Sequence, residues 1–121
     1  MRGPLLLTQP LDLDDAREAA RQMSVQRRNT EQMLEEQNKT AADAEHAYRK
    51  AFAIAFVHAE GTAAAREAIA RAQSADEARE RDIEERIWRV LLERLRGLEG
   101  ERSMLKSLME WSARLNAMGV E

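Results

Sequence analysis

Cysteine is absent from this 121-residue chain. Disulfides, thiolate metal sites and thiol nucleophiles are excluded with it. Proline occurs only at Pro4 and Pro10. Proline breaks helices because it lacks the amide N–H and its ring clashes with the preceding turn; nothing after Pro10 carries that interruption. Glycine is scarce as well, at five residues, and only Gly61 stands near the middle. Aromatic residues make up 4% of the chain, and no run of alternating β-branched residues suggests a strand. No apolar run approaches the ~20 residues that a membrane span requires. The short Leu5–Leu7 run behind Arg2 falls short of a signal-peptide core. Neither charge sign prevails: 19 basic and 22 acidic residues give a net charge of −3. A glycine-rich phosphate loop and a nucleophile elbow are both missing.

What remains is alanine and charge. Charged residues are 34% of the chain, the composition of helices and coiled coils. Residues 12–60 and 63–118 read as two helices joined by a tight turn at Gly61-Thr62. Glycine just past a helix is the usual left-handed stop, and threonine is a natural N-cap. Asp12 is the expected cap of the first helix. Asp14, Asp15 and Glu18 follow in its first turns, where carboxylates suit the helix dipole. At ~1.5 Å per residue the helices would be ~70 and ~85 Å long. Residues 1–11 form an extension. Its Leu5, Leu6, Leu7 and Leu11 are expected to fold back over Leu108, Trp111 and Leu115, because the second helix overruns the first.

Along the first stretch a seam runs Ala16, Ala20, Met23, Arg27, Thr30, Leu34, Gln37, Ala41, Ala44, Tyr48, Ala51, Ala55, His58. Its steps alternate between four and three, the coiled-coil repeat, and most of its residues are small. The second stretch opens on alanines and turns to large residues after Ile83. Folding the chain at Gly61 sets Tyr48, Phe52 and Phe56 against the alanines from Ala68 to Ala75. It sets Leu91 against Thr30 and Leu34, and Leu98 and Leu105 against Ala16, Ala19 and Ala20. Bulky against small is what close packing requires. The expectation is one all-α domain over residues 1–121, a long antiparallel helical hairpin of coiled-coil type; a continuous rod through Gly61 is the alternative. Acid-before-base pairs four apart support each helix: Glu45–Arg49, Glu67–Arg71, Glu77–Arg81, Asp82–Arg86, Glu85–Arg89 and Glu110–Arg114. Each contributes roughly 0.2–0.5 kcal/mol. Gly97 and Gly100 cost roughly 1 kcal/mol each within a helix and mark a kink or a close approach by another backbone.

The second helix carries more apolar residues than one face holds. At about 100° per residue, Ile83, Ile87, Val90, Leu98, Leu105 and Leu108 form one stripe, while Trp88, Leu92 and Leu95 point away from it. Those three and Trp111 are the expected protein interface, since an exposed apolar patch usually marks one. The economical partner is a second copy, giving a homodimeric four-helix assembly; the alternative is that these residues widen one core face. Arg79, Arg86, Arg89 and Arg96 drift along one face as candidate nucleic-acid contacts. The interleaved Glu85, Glu93 and Glu99 and the negative total favour a solvated, salt-bridged face instead. His46 and His58 are twelve residues apart, beyond the spacing that lets two histidines share a metal. No Glu-x-x-His pair suggests a di-iron bundle. No metal, cofactor or catalytic constellation is expected.

The segment Ala47-Tyr48-Arg49-Lys50-Ala51-Phe52-Ala53-Ile54-Ala55-Phe56-Val57-His58-Ala59-Glu60-Gly61-Thr62, with Arg66 and Ala68 after it, resembles small helical-hairpin proteins encoded by tailed phages and prophages of actinobacteria. The shared look is Ala-Tyr-Arg, alternating alanines, then Ala-Glu-Gly-Thr at the turn, over about the middle third of the chain. Gly97 and Gly100 depart from that group, which continues with helix formers there. The resemblance implies a phage accessory protein in the host cytoplasm, in the genomic company of recombination and replication genes, with no established activity attached. Two readings stand. One is a non-enzymatic interaction protein acting as a homodimer through its second helix. The other is a nucleic-acid-binding accessory factor.

Overall fold

The computed structural model of the chain describes residues 12–119. Those residues are all-helical: α1 spans Leu13–His58, α2 Ala63–Gln73 and α3 Ala75–Ala117, with no strand among them. The fold-back expected of Leu5, Leu6, Leu7 and Leu11 lies outside the described residues.

α1 begins among carboxylates. Asp12 Oδ1 accepts the Asp14 amide at 2.9 Å, and the Asp12 carbonyl accepts the Ala16 amide at 2.9 Å. Asp14 and Asp15 fill the first turn, where the helix dipole favours negative charge. α1 stops at His58 rather than Glu60. The Ala59 amide still reaches the Ala55 carbonyl, at 3.0 Å. Gly61 then takes φ +110°, a backbone that residues with a Cβ rarely adopt. Thr62 caps α2, its Oγ1 accepting the Ala65 amide at 3.2 Å.

The second stretch is not one helix. It divides at Ser74, whose φ of −101° and ψ of 15° leave the helical region. The Ser74 hydroxyl donates to the Ala70 carbonyl at 2.7 Å, and the Ser74 amide donates to the same oxygen at 3.0 Å. Back-bonding of this kind competes with the helix ladder and bends it. Ser74 and Ala70 are both fully buried, so the break sits inside the packing and is not a frayed end. By contrast, α3 runs through Gly97 and Gly100 without interruption.

The chain forms two compact units. In the unit Thr30–Glu93, Tyr48, Phe52 and Phe56 build a ladder along α1, with ring centroids 6.1 and 6.2 Å apart. An arginine closes each end of it. The Arg81 guanidinium lies 4.1 Å from the Tyr48 ring centre, and that of Arg66 lies 4.4 Å from Phe56. Such cation–π contacts contribute about 0.5–1 kcal/mol at exposed sites. Arg66 also donates through Nε and Nη2 to the Phe56 carbonyl, at 3.2 and 3.0 Å. That carbonyl belongs to the last turn of α1, where the helix itself supplies no donor. Arg81 meets Asp82 at 3.1 Å and Glu45 at 3.7 Å. Burial works against the Arg81 charge, but hydrogen bonds to Asp82 and Tyr48 and the fields of Asp82 and Glu45 outweigh it and raise its pKa. Gln37 Nε2 donates to the Glu84 carbonyl at 3.0 Å and to the Glu84 carboxylate. Thr30, Ala55, Ala70, Ser74 and Leu91 are buried here. In the other unit, Met1–Asn29 with Arg94–Glu121, the buried ones among the described residues are Ala16, Leu98, Leu105 and Ser112. Arg27 and Glu99 pair there at 3.3 Å.

Glycines in these two settings respond oppositely to alanine. Gly61→Ala is expected to destabilise the fold by roughly 1–2 kcal/mol, the cost of a Cβ at positive φ. A Cβ at Gly97 or Gly100 would meet no heavy atom within 4 Å, so alanine at either is expected to stabilise by about 1 kcal/mol through helix propensity. Urea unfolding of dilute protein reads both signs. A Gly61→Ala variant more stable than the parent would contradict the role given to its backbone.

Candidate interaction surface

A repeat of 3.5 residues decides which side chains α1 and α3 bury. On α1, twelve of the thirteen seam residues from Ala16 to His58 are buried or half-buried, and only His58 is exposed. On α3 one periodic set of buried or half-buried residues runs Arg81, Glu84, Trp88, Leu91, Leu95, Leu98, Leu105, Met109 and Ser112, and Glu77, Ala78, Leu92, Leu108 and Leu115 beside it are half-buried too. The steps of the periodic set alternate between three and four, with only Arg102 passed over as exposed. Leu91, Leu98, Leu105 and Ser112 are seven apart and all buried.

This phase differs from the one expected. Leu98 and Leu105 fall in line with Leu91, not with Ile83, Ile87 and Val90. The physical reason is drift. At 3.6 residues per turn a straight-helix projection slips by about 20° per heptad relative to a 3.5 repeat, so a stripe drawn at 100° per residue crosses from one seam to the other. Trp88, Leu92 and Leu95 are consequently half-buried, and Trp88 lines a groove with Ala41, Ala42 and Glu45 of α1. Ile83, Ile87 and Val90 stand in solvent instead. Of the four residues expected to form the interface, Trp111 is the exposed one.

A second seam lies on the outside of α3. It reads Ile83, Ile87, Val90, Arg94, Gly97, Glu101, Met104, Leu108, Trp111, Leu115, with Met118 just past the helix end. The steps are again four and three throughout. Every large hydrophobic residue that α3 and its end expose belongs to it: Ile83, Ile87, Val90, Met104, Trp111 and Met118, from 39% exposed at Ile83 to 74% at Met118. Leu108 and Leu115 on the same seam are half-buried. The exposed apolar residues of α1, namely Leu13, Val25, Met33, Ile54 and Val57, share no such spacing. Scattered apolar residues are ordinary on protein surfaces; a periodic set on one helix is a face.

The arginines are divided. Arg89 pairs with Glu85 at 2.7 Å. Arg79 and Arg86 make no ion pair among the described residues, and they share an open groove of about 720 Å³ with Tyr48, Arg71, Asp82 and Ile83. Arg71 in that groove is held by Glu67 at 2.6 Å. Arg96 is exposed and belongs to the other unit. Of the six charge pairs expected along the helices, Glu45–Arg49, Glu67–Arg71 and Glu85–Arg89 form, at 2.9, 2.6 and 2.7 Å. Arg81 turns to Glu45 and Asp82 instead of Glu77.

His46 and His58 are exposed. Among the described residues no group of three or more His, Asp or Glu side chains is placed to hold a metal ion. No helix there is long and apolar enough to cross a membrane. No family model matches the chain, and neither a curated protein nor a solved structure does.

Neighbouring apolar residues of α3 should therefore behave very differently. Ile87→Gln is expected to change the unfolding free energy of dilute protein by no more than about 0.5 kcal/mol, as for a surface site. Leu91→Ala is expected to cost about 2–3 kcal/mol through lost burial and the cavity left behind. Equal losses in the two variants would mean that the outer seam is packed within the single chain.

Proposed function

We propose that the protein is a non-enzymatic interaction module whose outer α3 seam binds another protein surface, acting as a homodimer. The observation that carries this reading is the periodicity of the exposed apolar residues. Random surface exposure does not repeat at alternating steps of four and three along a helix of 43 residues. That spacing is what a helix presents to a second helix wound around it. The chain's own fold is proposed to be an antiparallel helical hairpin. Contacts between residues far apart in sequence support it, Gln37 with Glu84 and Arg27 with Glu99. A phage-type accessory role in the host cytoplasm rests on the resemblance of the Ala47–Thr62 segment alone.

Light scattering behind size-exclusion chromatography tests the homodimer. At tens of micromolar the mass is expected to be twice 13.8 kDa. The double variant Ile87→Glu with Trp111→Glu is expected to elute at the single-chain mass with unchanged helicity. A parent protein of single-chain mass at that concentration would refute self-association.

One observation favours a second reading, a nucleic-acid accessory role. Arg79 and Arg86 stand free beside Tyr48 in the open groove, where guanidinium groups and a ring could meet phosphate and base. Gel shift with single- and double-stranded DNA at about 50 mM salt tests it, because phosphate-driven binding is strongest at low salt. Binding lost in Arg79→Ala with Arg86→Ala would support the reading. An unshifted band at that salt would remove it.

A further inference from the structure

The outer seam of α3 is not apolar throughout. Its middle reads Arg94, Gly97, Glu101, flanked by Ile83, Ile87 and Val90 on the N-terminal side and by Met104, Leu108 and Trp111 on the C-terminal side. Arg94 and Glu101 are exposed and make no ion pair among the described residues. Gly97 and Gly100 between them leave the helix surface open, with nothing within 4 Å of where a Cβ would stand. The pattern inverts about its centre. Apolar residues occupy both ends, a cation lies on one side of the glycines and an anion on the other.

We infer that α3 pairs with α3 of a second copy in antiparallel orientation, in the register that sets Arg94 beside Glu101 of that copy. This rests on the self-association proposed above and specifies its geometry. In antiparallel coiled coils each layer joins one type of seam position to the other type, so only registers one heptad apart are open. One register puts Ile83 on Leu115 of the second copy, Ile87 on Trp111, and Val90 on Leu108. It brings Arg94 within one helical turn of Glu101 of the second copy, twice by symmetry, and leaves the glycines at the two-fold point. Sliding by a heptad one way keeps Arg94 near Glu101 but sets Val90 on that carboxylate and leaves two apolar layers in each half in place of three. Sliding the other way sets Glu101 on Met104 and moves Arg94 out of its reach. Both set the carboxylate against an apolar side chain, which is costly, whereas the first register sets it on Gly97 and places Arg94 on Met104, where the long cationic side chain can keep its charge in water. A parallel pair is disfavoured differently: Arg94 meets Arg94 and Glu101 meets Glu101, like charge on like. Gly97 and Gly100 then have a reason to interrupt a helix that alanine would favour. They give the two backbones room where the helices cross the axis.

Charge reversal decides the orientation. Arg94→Glu and Glu101→Arg are each expected to weaken the dimer by about tenfold or more, since each replaces two attractive contacts by two repulsive ones. The double variant carrying both substitutions is expected to return to within about threefold of the parent, because the swap restores opposite charges across the interface. Sedimentation equilibrium at low salt measures all four proteins, and circular dichroism confirms their helicity. If the single reversals leave the dimer unchanged while Ile87→Glu with Trp111→Glu dissociates it, the antiparallel pairing of Arg94 with Glu101 is wrong and self-association stands. A parallel dimer gives that result, since its like pairs stay like under reversal. A parent protein that never dimerises overturns both.

Discussion

The small side chains of α1 set the terms for the rest of the molecule. The residues it buries are Ala16, Thr30 and Ala55, whereas α3 buries Leu91, Leu98 and Leu105. A seam of alanine and threonine lets leucines from elsewhere sink close to its backbone, and interiors reward that closeness because they pack at crystal density. Such a seam is also narrow. α3 carries apolar residues on two heptad faces, one buried and one exposed. Domain stability and surface chemistry follow from that one mismatch in side-chain size.

Polar groups in the unit Thr30–Glu93 are handled locally. Helix ends leave carbonyls and amides without partners, and here arginine, serine and threonine supply them. Arg66 satisfies the Phe56 carbonyl while lying on the Phe56 ring, so one side chain closes both the backbone and the aromatic ladder. Ser74 takes the Ala70 carbonyl through its own hydroxyl and ends α2 without exposing a polar group. Gln37 engages Glu84 through backbone and side chain together, which places a polar contact at a seam position where both partners are satisfied. A polar residue in a helix seam costs stability but fixes which neighbour it accepts.

How much of this was legible in the sequence depends on whether the deciding signal was local. The α1 seam was readable because its steps of four and three persist from Ala16 to Ala55. The stop at Gly61 and the cap at Thr62 are local chemistry, and both have the geometry their residue types suggest. The faces of α3 were not readable by straight-helix projection. Val90 and Leu91 are both good core residues; only the continuation through Leu98 and Leu105 at heptad spacing shows which of them turns inward. The break at Ser74 leaves no mark in composition, since serine is tolerated within helices, and only its bond to the Ala70 carbonyl ends the run. No spacing assigns Arg66 to the Phe56 carbonyl in a chain with 16 arginines against three lysines; its role depends on where that carbonyl lies.

A purely apolar outer face would be a liability. It would bind any hydrophobic surface in any register, and exposed patches of that kind lead to aggregation. In the proposed pairing, Arg94 and Glu101 sacrifice apolar contact at the centre of the face and select the arrangement in which opposite charges meet. A parallel pairing opposes two charges of the same sign, and a heptad slip sets Glu101 on an apolar side chain. The glycines act in the same direction. They lower helix propensity by about 1 kcal/mol each, a cost with no return in the single chain, where nothing approaches them. In a pairing that brings two backbones together at that point, the missing side chains become shape. The same positions that look like defects in an isolated helix are thus what a selective helix surface requires, a centre that recognises and two ends that adhere.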